Sequence, residues 1–337
     1  MYQYILIVMK LLLTYSDIDP QQWQSLVERS PYATWFQTPE AYQFYEAVKN
    51  EMTPFAFGIE RDGELRAVVV GYVTKEKSAL KQFFTRRAIV IGGPLIGEHA
   101  TELDVEQLLH KTAAELKSQA IYIEMRNFHD YSRWKSVYEA NGFAYQPHLN
   151  IQVACNDQHS MSEQRQRQVK KAIKNGAEIC EASSEQEIRD WYEILYKLYR
   201  EKVRTPLFSE EFFMQFYREG VGKYLLVKHQ GKVIGGMMCP ILDGKAIYEW
   251  YVCGLDEEYR EQYPSVMATY AAIEYAKQNN LPLFDFMGAG KPDIPYGVRD
   301  FKMEFGGQLV EHGRFLCVRK PLLYWIGKMG VNWLKKY

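Results

Sequence analysis

The residues best placed to do chemistry lie between Phe284 and Gln308, in the run FDFMGAGKPDIPYGVRDFKMEFGGQ. A strand ending near Asp285 and Phe286 leads into a Gly/Pro-rich loop, then into a short segment carrying Arg299 and Lys302. Loops at strand ends are where α/β proteins place ligands. Gly288-Ala289-Gly290-Lys291 lacks the spacing and the terminal Ser/Thr of a P-loop, so nucleotide hydrolysis is rejected. Arg299 and Lys302 could instead bind a phosphate or stabilise an oxyanion. Ordinary surface charge is the competing reading. A second constellation is the basic stretch EQRQRQVKKAIKN. Helical spacing puts Arg167, Lys170 or Lys171, and Lys174 on one face, with Val169, Ala172 and Ile173 as the opposing apolar stripe. Such a face can contact the phosphates of RNA or of a pyrophosphate-bearing substrate, or be merely solvated. Arg204, in the loop Lys202-Val203-Arg204-Thr205-Pro206, is a candidate anion clamp or a helix-end charge. Tyr248 and Trp250 alternate with Tyr251 on one strand, where core packing is the default. No H-E-x-x-H, no close His pair and no G-x-S-x-G is present, so neither metal catalysis nor a serine or cysteine nucleophile is supported.

The elements that must hold these residues are legible from local signals. Asp19-Pro20 and Thr38-Pro39-Glu40 read as helix starts, with Pro at the first helical position. Arg61-Asp62-Gly63-Glu64 and Gln230-Gly231 read as hairpin turns. Further strands are expected at RRAIVIGG, AIYIEMRN, HLNIQVA, AEICEA, AIYEWYVCG and LPLFDFMG, and at least one within GQLVEHGRFLCV. Helices are expected near 104–118, 160–175, 185–200, 209–219 and 264–280. Ser160-x-x-Glu163 is a capping box that would start the basic helix. Helices alternating with hairpins and strands predict α/β layers. The same order of elements occurs in both halves, which suggests a duplicated unit. The polar stretch NDQHS places a boundary between residues 157 and 158.

The bulk numbers exclude several classes. The chain has 337 residues, 47% hydrophobic and 25% charged, which predicts two domains or one large one with a packed core. A formal net charge of -1 carries no global field for nucleic acid, so any electrostatic footprint is local. The five cysteines are odd in number and form no C-x-x-C, which argues against a disulfide framework and for a reducing cytoplasm. Residues 1–8 read as an extension upstream of the first strand, too short for a spanning helix and without signal-peptide features. From His312 onward there are six Lys/Arg and no acids. Pro321 starts a helix with Leu322, Trp325, Ile326, Met329 and Trp333 on one face and Lys328 and Lys335 on the other. That face could touch an anionic membrane surface, or pack on the body and leave a basic side exposed.

Four segments in order resemble the Fem family of peptidoglycan-bridge transferases: ATWFQTPEAYQFYEAV, RRAIVIGGPLIG, RQRQVKKAIKNGAEI and FDFMGAG…GVRDFKMEFGG. The last is the most specific, because Phe-Lys precedes Phe-Gly-Gly. The resemblance spans nearly the whole chain. It implies an α/β (α+β) fold of two tandem GNAT-like acyl-CoA N-acyltransferase domains, with mixed sheets flanked by helices. The first would run over 1–157 and the second over 158–318, with helix 319–337 returning to the first. It implies transfer of an amino acid from aminoacyl-tRNA to the amine of a muropeptide or lipid-linked precursor, with no metal or organic cofactor. The expected location is cytoplasmic, with peripheral membrane contact through the C-terminal helix.

By the same analogy Lys302 would stabilise the charge developing on the attacked ester or its leaving group. Arg204 and Tyr251, with Tyr248 and Arg299, would hold the precursor. The basic helix, with Arg167, Lys170, Lys171 and Lys174, would sit near the tRNA or the precursor. Asp285, at a strand end beside the same loop, is the candidate general base. The chain departs from the family at Ala41-Tyr42, where many members carry Trp. Acyl-CoA enzymes of the GNAT class cradle pyrophosphate on a glycine-bearing loop. The corresponding stretch, Arg260 to Ser265, has no glycine, which weighs against acetyl-CoA. The alternatives are a GNAT-type N-acyltransferase that uses acyl-CoA or another carrier on a different amine, for example a polysaccharide-related one, and a non-catalytic RNA- or glycan-binding tandem domain. The cleft around Lys302 discriminates: a groove wide enough for a tRNA end and a muropeptide favours aminoacyl transfer, a splayed strand pair with a narrow slot and backbone amides at Tyr263 to Val266 favours CoA, and a filled or closed cleft favours binding alone.

Overall fold

The computed structural model describes residues 9–76, 79–156 and 158–334. Residues 1–8, read above as an upstream extension, and Lys335 lie outside the described residues. So do the side chains beyond Met329, Trp333 among them.

From its N-terminal end the chain forms β1 (Met9–Leu12), α1 (Pro20–Arg29), α2 (Pro39–Ala47), the hairpin β2 (Met52–Arg61) and β3 (Glu64–Thr74), and α3 (Ala79–Thr85). There follow β4 (Arg87–Gly92), β5 (Leu95–Ile96), α4 (Glu102–Glu115), β6 (Tyr122–Asn127), α5 (Lys135–Ala140) and β7 (Ala144–Gln146). The caps are those the sequence names. Asp19 Oδ1 accepts from the Gln22 N–H at 2.8 Å and Thr38 Oγ1 from the Ala41 N–H at 3.1 Å, each satisfying an otherwise orphaned donor. Asp62 and Gly63 take φ of 54° and 78°, the left-handed pair that a two-residue hairpin requires.

The next stretch forms β8 (Leu149–Ala154), α6 (Glu163–Lys174), β9 (Ala177–Glu181), α7 (Glu185–Leu198), α8 (Glu210–Glu219) and the hairpin β10 (Gly222–His229) and β11 (Lys232–Leu242). It continues with β12 (Ala246–Tyr248), β13 (Tyr251–Gly254), α9 (Pro264–Gln278), β14 (Leu283–Asp285), α10 (Gly297–Met303) and β15 (Gln308–Glu311). Its sheet runs β15-β8-β14-β12-β11-β10-β9, with β13 also on β11. Side-chain alternation along β10 feeds two cores. Leu225 and Val227 join the cluster that includes Met267, Ala271 and Ala272 of α9. Tyr224 faces α7 and α8, where its ring meets Trp191 at 5.1 Å and its hydroxyl donates to the Phe213 carbonyl at 2.8 Å.

The chain then forms β16 (Arg314–Val318) and α11 (Pro321–Leu334). β16 pairs antiparallel with both β6 and β7, which completes a sheet ordered β1-β2-β3-β4-β6-β16-β7, with β5 on β3. The chain therefore divides into residues 1–147 with 312–337, and residues 148–311. The expected boundaries at 157 and 318 are displaced for a definite reason. β8 hydrogen-bonds to β14 and β15, and so belongs to the second unit although it precedes NDQHS. GQLVEHGRFLCV holds two strands that turn at Gly313 and serve different sheets. The basic helix is capped by Ser162, not Ser160: Ser162 Oγ accepts from the Arg165 N–H at 3.2 Å.

Among the described residues each sheet contains one parallel strand pair joined through a helix, and the two pairs differ. In the first unit β4 and β6 stay paired over six residues, from Arg87↔Tyr122 to Gly92↔Asn127. The Tyr131 hydroxyl donates to the carbonyls of Gly92 (2.9 Å) and Pro94 (2.7 Å), and the Gln37 amide donates to that of Gly93 (2.8 Å), which fills the end of the pair. In the second unit β12 and β14 pair over only three residues, 246–248 with 283–285. Beyond them the strands part.

Candidate active site

The parting begins at Glu249. AIYEWYVCG reads as one strand, but it breaks between Tyr248 and Tyr251. The Glu249 N–H donates to the Asp285 carbonyl at 2.9 Å, the last link to β14. The Trp250 N–H then turns to the carbonyls of Met238 and Tyr248, both at 3.1 Å. β13 continues along β11 alone, from Met238↔Tyr251 to Gly235↔Gly254. On the other side Met287 (φ 56°) and Gly288 (φ 144°) turn the chain away after β14. Beside β13 lies a cavity of about 470 Å³, lined among others by Glu249 at the break, by Val252 and Gly254 of β13, and by Val298, Phe301 and Lys302 of α10. That is a size suited to a small ligand or to the end of a larger one.

Lys302, on the short helix α10, is 8% exposed and points at the break. Its Nζ donates to the carbonyls of Phe286 (3.0 Å) and Gly288 (2.9 Å) and meets Glu249 Oε1 at 2.8 Å. All three ammonium protons therefore have acceptors. Two fix the loop after β14, and the third meets a carboxylate that lines the cavity. Glu249 is 7% exposed. Burial, its largest influence, raises its carboxyl above the usual range; the Lys302 charge opposes this and the Asp285 charge adds to it. A buried carboxylate whose proton affinity has been raised, touching an ammonium in an open cavity, can accept a proton beside a fixed positive charge. Sequence reasoning missed Glu249. The signal was a lone acid inside an otherwise apolar and aromatic strand.

Asp285 does not fill the role of base expected for it. It is fully buried and absent from the cavity lining. Its carboxylate accepts from Asn150 Nδ2 (2.8 and 3.0 Å), Gln152 Nε2 (2.8 Å) and the Met287 N–H (2.6 Å), which ties β14 to β8. Burial raises its carboxyl while these donors pull it down. Arg299 is likewise a loop staple. Its Nε donates to the Ala289 carbonyl at 2.8 Å, and its Nη2 donates to that of Ile294 at 3.1 Å and to that of Lys291. Tyr248 is 2% exposed, a core residue of β12. The break also overturns the expected alternation: Trp250 and Tyr251 both pack on Phe212, at 5.4 and 6.3 Å between ring centres. Tyr251 reaches Tyr199 at 6.1 Å and stands outside the cavity lining. Arg204 is exposed at a left-handed position (φ 53°) that ends a wide turn at 199–203. Its neighbour Lys202 lines the cavity mouth, paired with Glu257 at 2.6 Å.

The mouth also carries the N-terminus of α9. Gly254 lets β13 approach it: a Cβ there would lie 2.7 Å from the Ser265 nitrogen. Helix N-termini attract phosphate through free N–H groups. Here Pro264 has no N–H. The Ser265 N–H donates to Asp256 Oδ1 at 3.0 Å, and the Ser265 hydroxyl to Asp256 Oδ2. A carboxylate already occupies the anion position. Asp256→Ala is therefore expected to lower stability by about 1 kcal/mol, the usual worth of a helix cap. Thermal melting of the variant, with Asp256→Asn as the milder comparison, checks this.

The basic helix is joined to the site by a residue that sequence reasoning passed over. Arg165, at i−4 and i−7 from Val169 and Ala172, lies on the buried stripe. It meets Glu304 at 3.0 Å and stacks over the rings of Phe301 (4.4 Å) and Phe305 (5.5 Å), the neighbours of Lys302. On the solvent side Arg167 pairs with Glu163 at 3.3 Å and Lys171 with Glu261 at 2.8 Å, while Lys170 and Lys174 are exposed. Ile173, expected in the apolar stripe, is 54% exposed. Among the described residues no group of three His, Cys, Asp or Glu is gathered closely enough to hold a metal ion.

The second unit matches a known family: residues 162–303 fit the acetyltransferase (GNAT) domain. No curated protein matches the chain by sequence. Among solved structures the chain is similar to FemX, with 15% identity and a TM-score of 0.70 over 92% of this chain and 98% of that one. It is similar to L-PGS from Bacillus licheniformis, with 13% identity and a TM-score of 0.57 over 92% and 96%. A tandem GNAT protein from the clavulanic acid biosynthesis pathway, solved without AcCoA, gives 10% identity and a TM-score of 0.56 over 93% and 99%. Residues 162–303 thus match the acetyltransferase (GNAT) domain, and the chain as a whole shares the fold of these tandem GNAT-like structures.

Proposed function

We propose that the chain is an aminoacyltransferase that moves an amino acid from aminoacyl-tRNA to the amine of a peptidoglycan precursor, either a muropeptide or its lipid-linked form. The observation that carries this reading is the Lys302–Glu249 pair, set in an open cavity whose helix N-terminus is already capped by Asp256. The cavity has the chemistry for acyl transfer without a ready seat for the pyrophosphate of CoA. An aminoacyl ester is itself the activated donor, so no organic cofactor is needed. The amine nitrogen bonds to the ester carbonyl carbon, and the carbonyl oxygen takes up negative charge beside Lys302 Nζ. Glu249 accepts the proton released by the attacking nitrogen. As the carbon–oxygen ester bond breaks, that proton passes to the leaving ribose hydroxyl. An oriented amine and a fixed positive charge at the oxyanion supply most of the acceleration.

The exposed cations of α6 would meet tRNA phosphates. Lys170→Glu with Lys174→Glu is expected to weaken tRNA binding and to lower the salt slope by about one unit for each lost contact. Filter binding over a salt series measures both. Unchanged affinity would leave that face merely solvated.

A second reading, acyl-CoA-dependent N-acylation, is favoured by the parting of β13 from β14, where a GNAT fold takes an acyl carrier. Calorimetric titration separates the two. A non-hydrolysable aminoacyl-adenosine amide should bind and compete with aminoacyl-tRNA, while CoA should not bind at comparable concentration. The reverse order would support the second reading.

A further inference from the structure

We infer that α11, together with α3, forms a docking surface for an anionic lipid bilayer. The inference rests on the first unit alone and does not depend on the donor or acceptor proposed above. α11 is fixed to its unit by one side: the Tyr324 ring meets Tyr122 at 5.3 Å, and the backbone N–H groups of Arg319 and Lys320 donate to the Ile121 carbonyl at 2.8 and 3.0 Å. The side turned outward is the apolar one. Leu322, Trp325, Ile326 and Met329, spaced i, i+3, i+4, i+7, are 70%, 57%, 40% and 49% exposed. This reverses the alternative in which the helix buries its apolar face and shows a basic one. α3 packs beside α11 and adds Phe83 and Phe84, 49% and 39% exposed.

Six large apolar side chains on two neighbouring helices form a patch that a water-facing surface does not need. The surrounding charge indicates what covers it. Residues 312–337 hold six Lys/Arg and no acid, and residues 75–87 hold five Lys/Arg and one Glu. A protein partner could have either sign; a patch of Trp, Phe, Leu, Ile and Met carried on two segments whose charged residues are almost all cations matches the boundary between acyl chains and anionic headgroups. No helix among the described residues is long and apolar enough to cross a membrane. The 14-residue α11 would therefore lie in the interface plane.

Flotation of the full chain with extruded vesicles tests this without any catalytic step. Binding to vesicles with about 30 mol% phosphatidylglycerol should exceed binding to pure phosphatidylcholine by roughly tenfold or more, and should fall in about 0.5 M NaCl. Trp325→Glu with Ile326→Glu should lower binding about tenfold or more, with an unchanged thermal melt because both side chains are already exposed; Leu322→Glu should act in the same direction. Equal binding by wild type and these variants, or no binding to anionic vesicles, overturns the assignment. A concentration-dependent dimer that the same variants abolish would assign the face to a second copy and overturn it equally.

Discussion

Lys302→Ala is expected to lower kcat about 10²–10³-fold, the usual cost of removing one preorganised oxyanion donor, which is roughly 3–4 kcal/mol. The expectation follows from what Lys302 holds. Two of its three acceptors are the Phe286 and Gly288 carbonyls, which keep the ammonium aimed at the break in the strand, and the third is Glu249; in the proposed mechanism the developing oxyanion shares that third position. The variant should remain folded. Without the ammonium, Glu249 need not stay as an unpaired buried charge, because burial already raises its carboxyl and it will take a proton instead. The sign of the pH effect follows. Lys302 is the group that pulls Glu249 down, so its removal moves the acid limb of the residual activity to higher pH. Single-turnover rates against pH, beside a melting curve, check both parts. Wild-type turnover in a folded Lys302→Ala protein would remove Lys302 from the mechanism.

Glu249→Gln is the second large effect, expected at about 10²–10⁴-fold in kcat, the range for a positioned general base. The substitution keeps the shape and one oxygen able to accept from Lys302, so the loop geometry is preserved and the loss is assigned to proton transfer. In the wild type the base works only when ionised. Activity should therefore rise with pH through a group held above the usual carboxylate range near 4.3. In Glu249→Gln that limb should disappear, leaving a flat low rate. An unchanged acid limb in the variant would assign the titration to another group.

Much of the fold was legible because its local signals are self-contained. Asp19-Pro20, Thr38-Pro39 and Asp62-Gly63 each specify a cap or a turn within a few residues, and tertiary packing agrees with them. The order of elements and the Phe-Lys…Phe-Gly-Gly segment located Lys302 correctly beside its loop. What the sequence hid depends on pairing at long range. AIYEWYVCG has the pattern of one strand; it breaks because Tyr248 pairs with β14 while Tyr251 pairs only with β11, and nothing in the nine letters encodes that division. Asp285 and Glu249 are both acids near a loop. One is a strut and the other faces the cavity, a distinction made by Asn150 and Gln152 on a strand some 130 residues earlier. The domain boundary was misplaced in the same way, since NDQHS is more polar than Pro147-His148 but lies beyond a strand already committed to the second sheet. Arg165 was within reach, because its spacing from Val169 and Ala172 placed it on the buried stripe.

The most direct measurement is a transfer assay. Purified protein is offered a pool of radiolabelled aminoacyl-tRNAs, with UDP-linked and lipid-linked muropeptides as acceptors, and in parallel labelled acetyl-CoA with the same acceptors. Label passing from tRNA to a muropeptide, with none from acetyl-CoA, is the predicted result, and the labelled amino acid identifies the donor. Transfer from acetyl-CoA alone would contradict the account and make the parted strands a seat for an acyl-CoA.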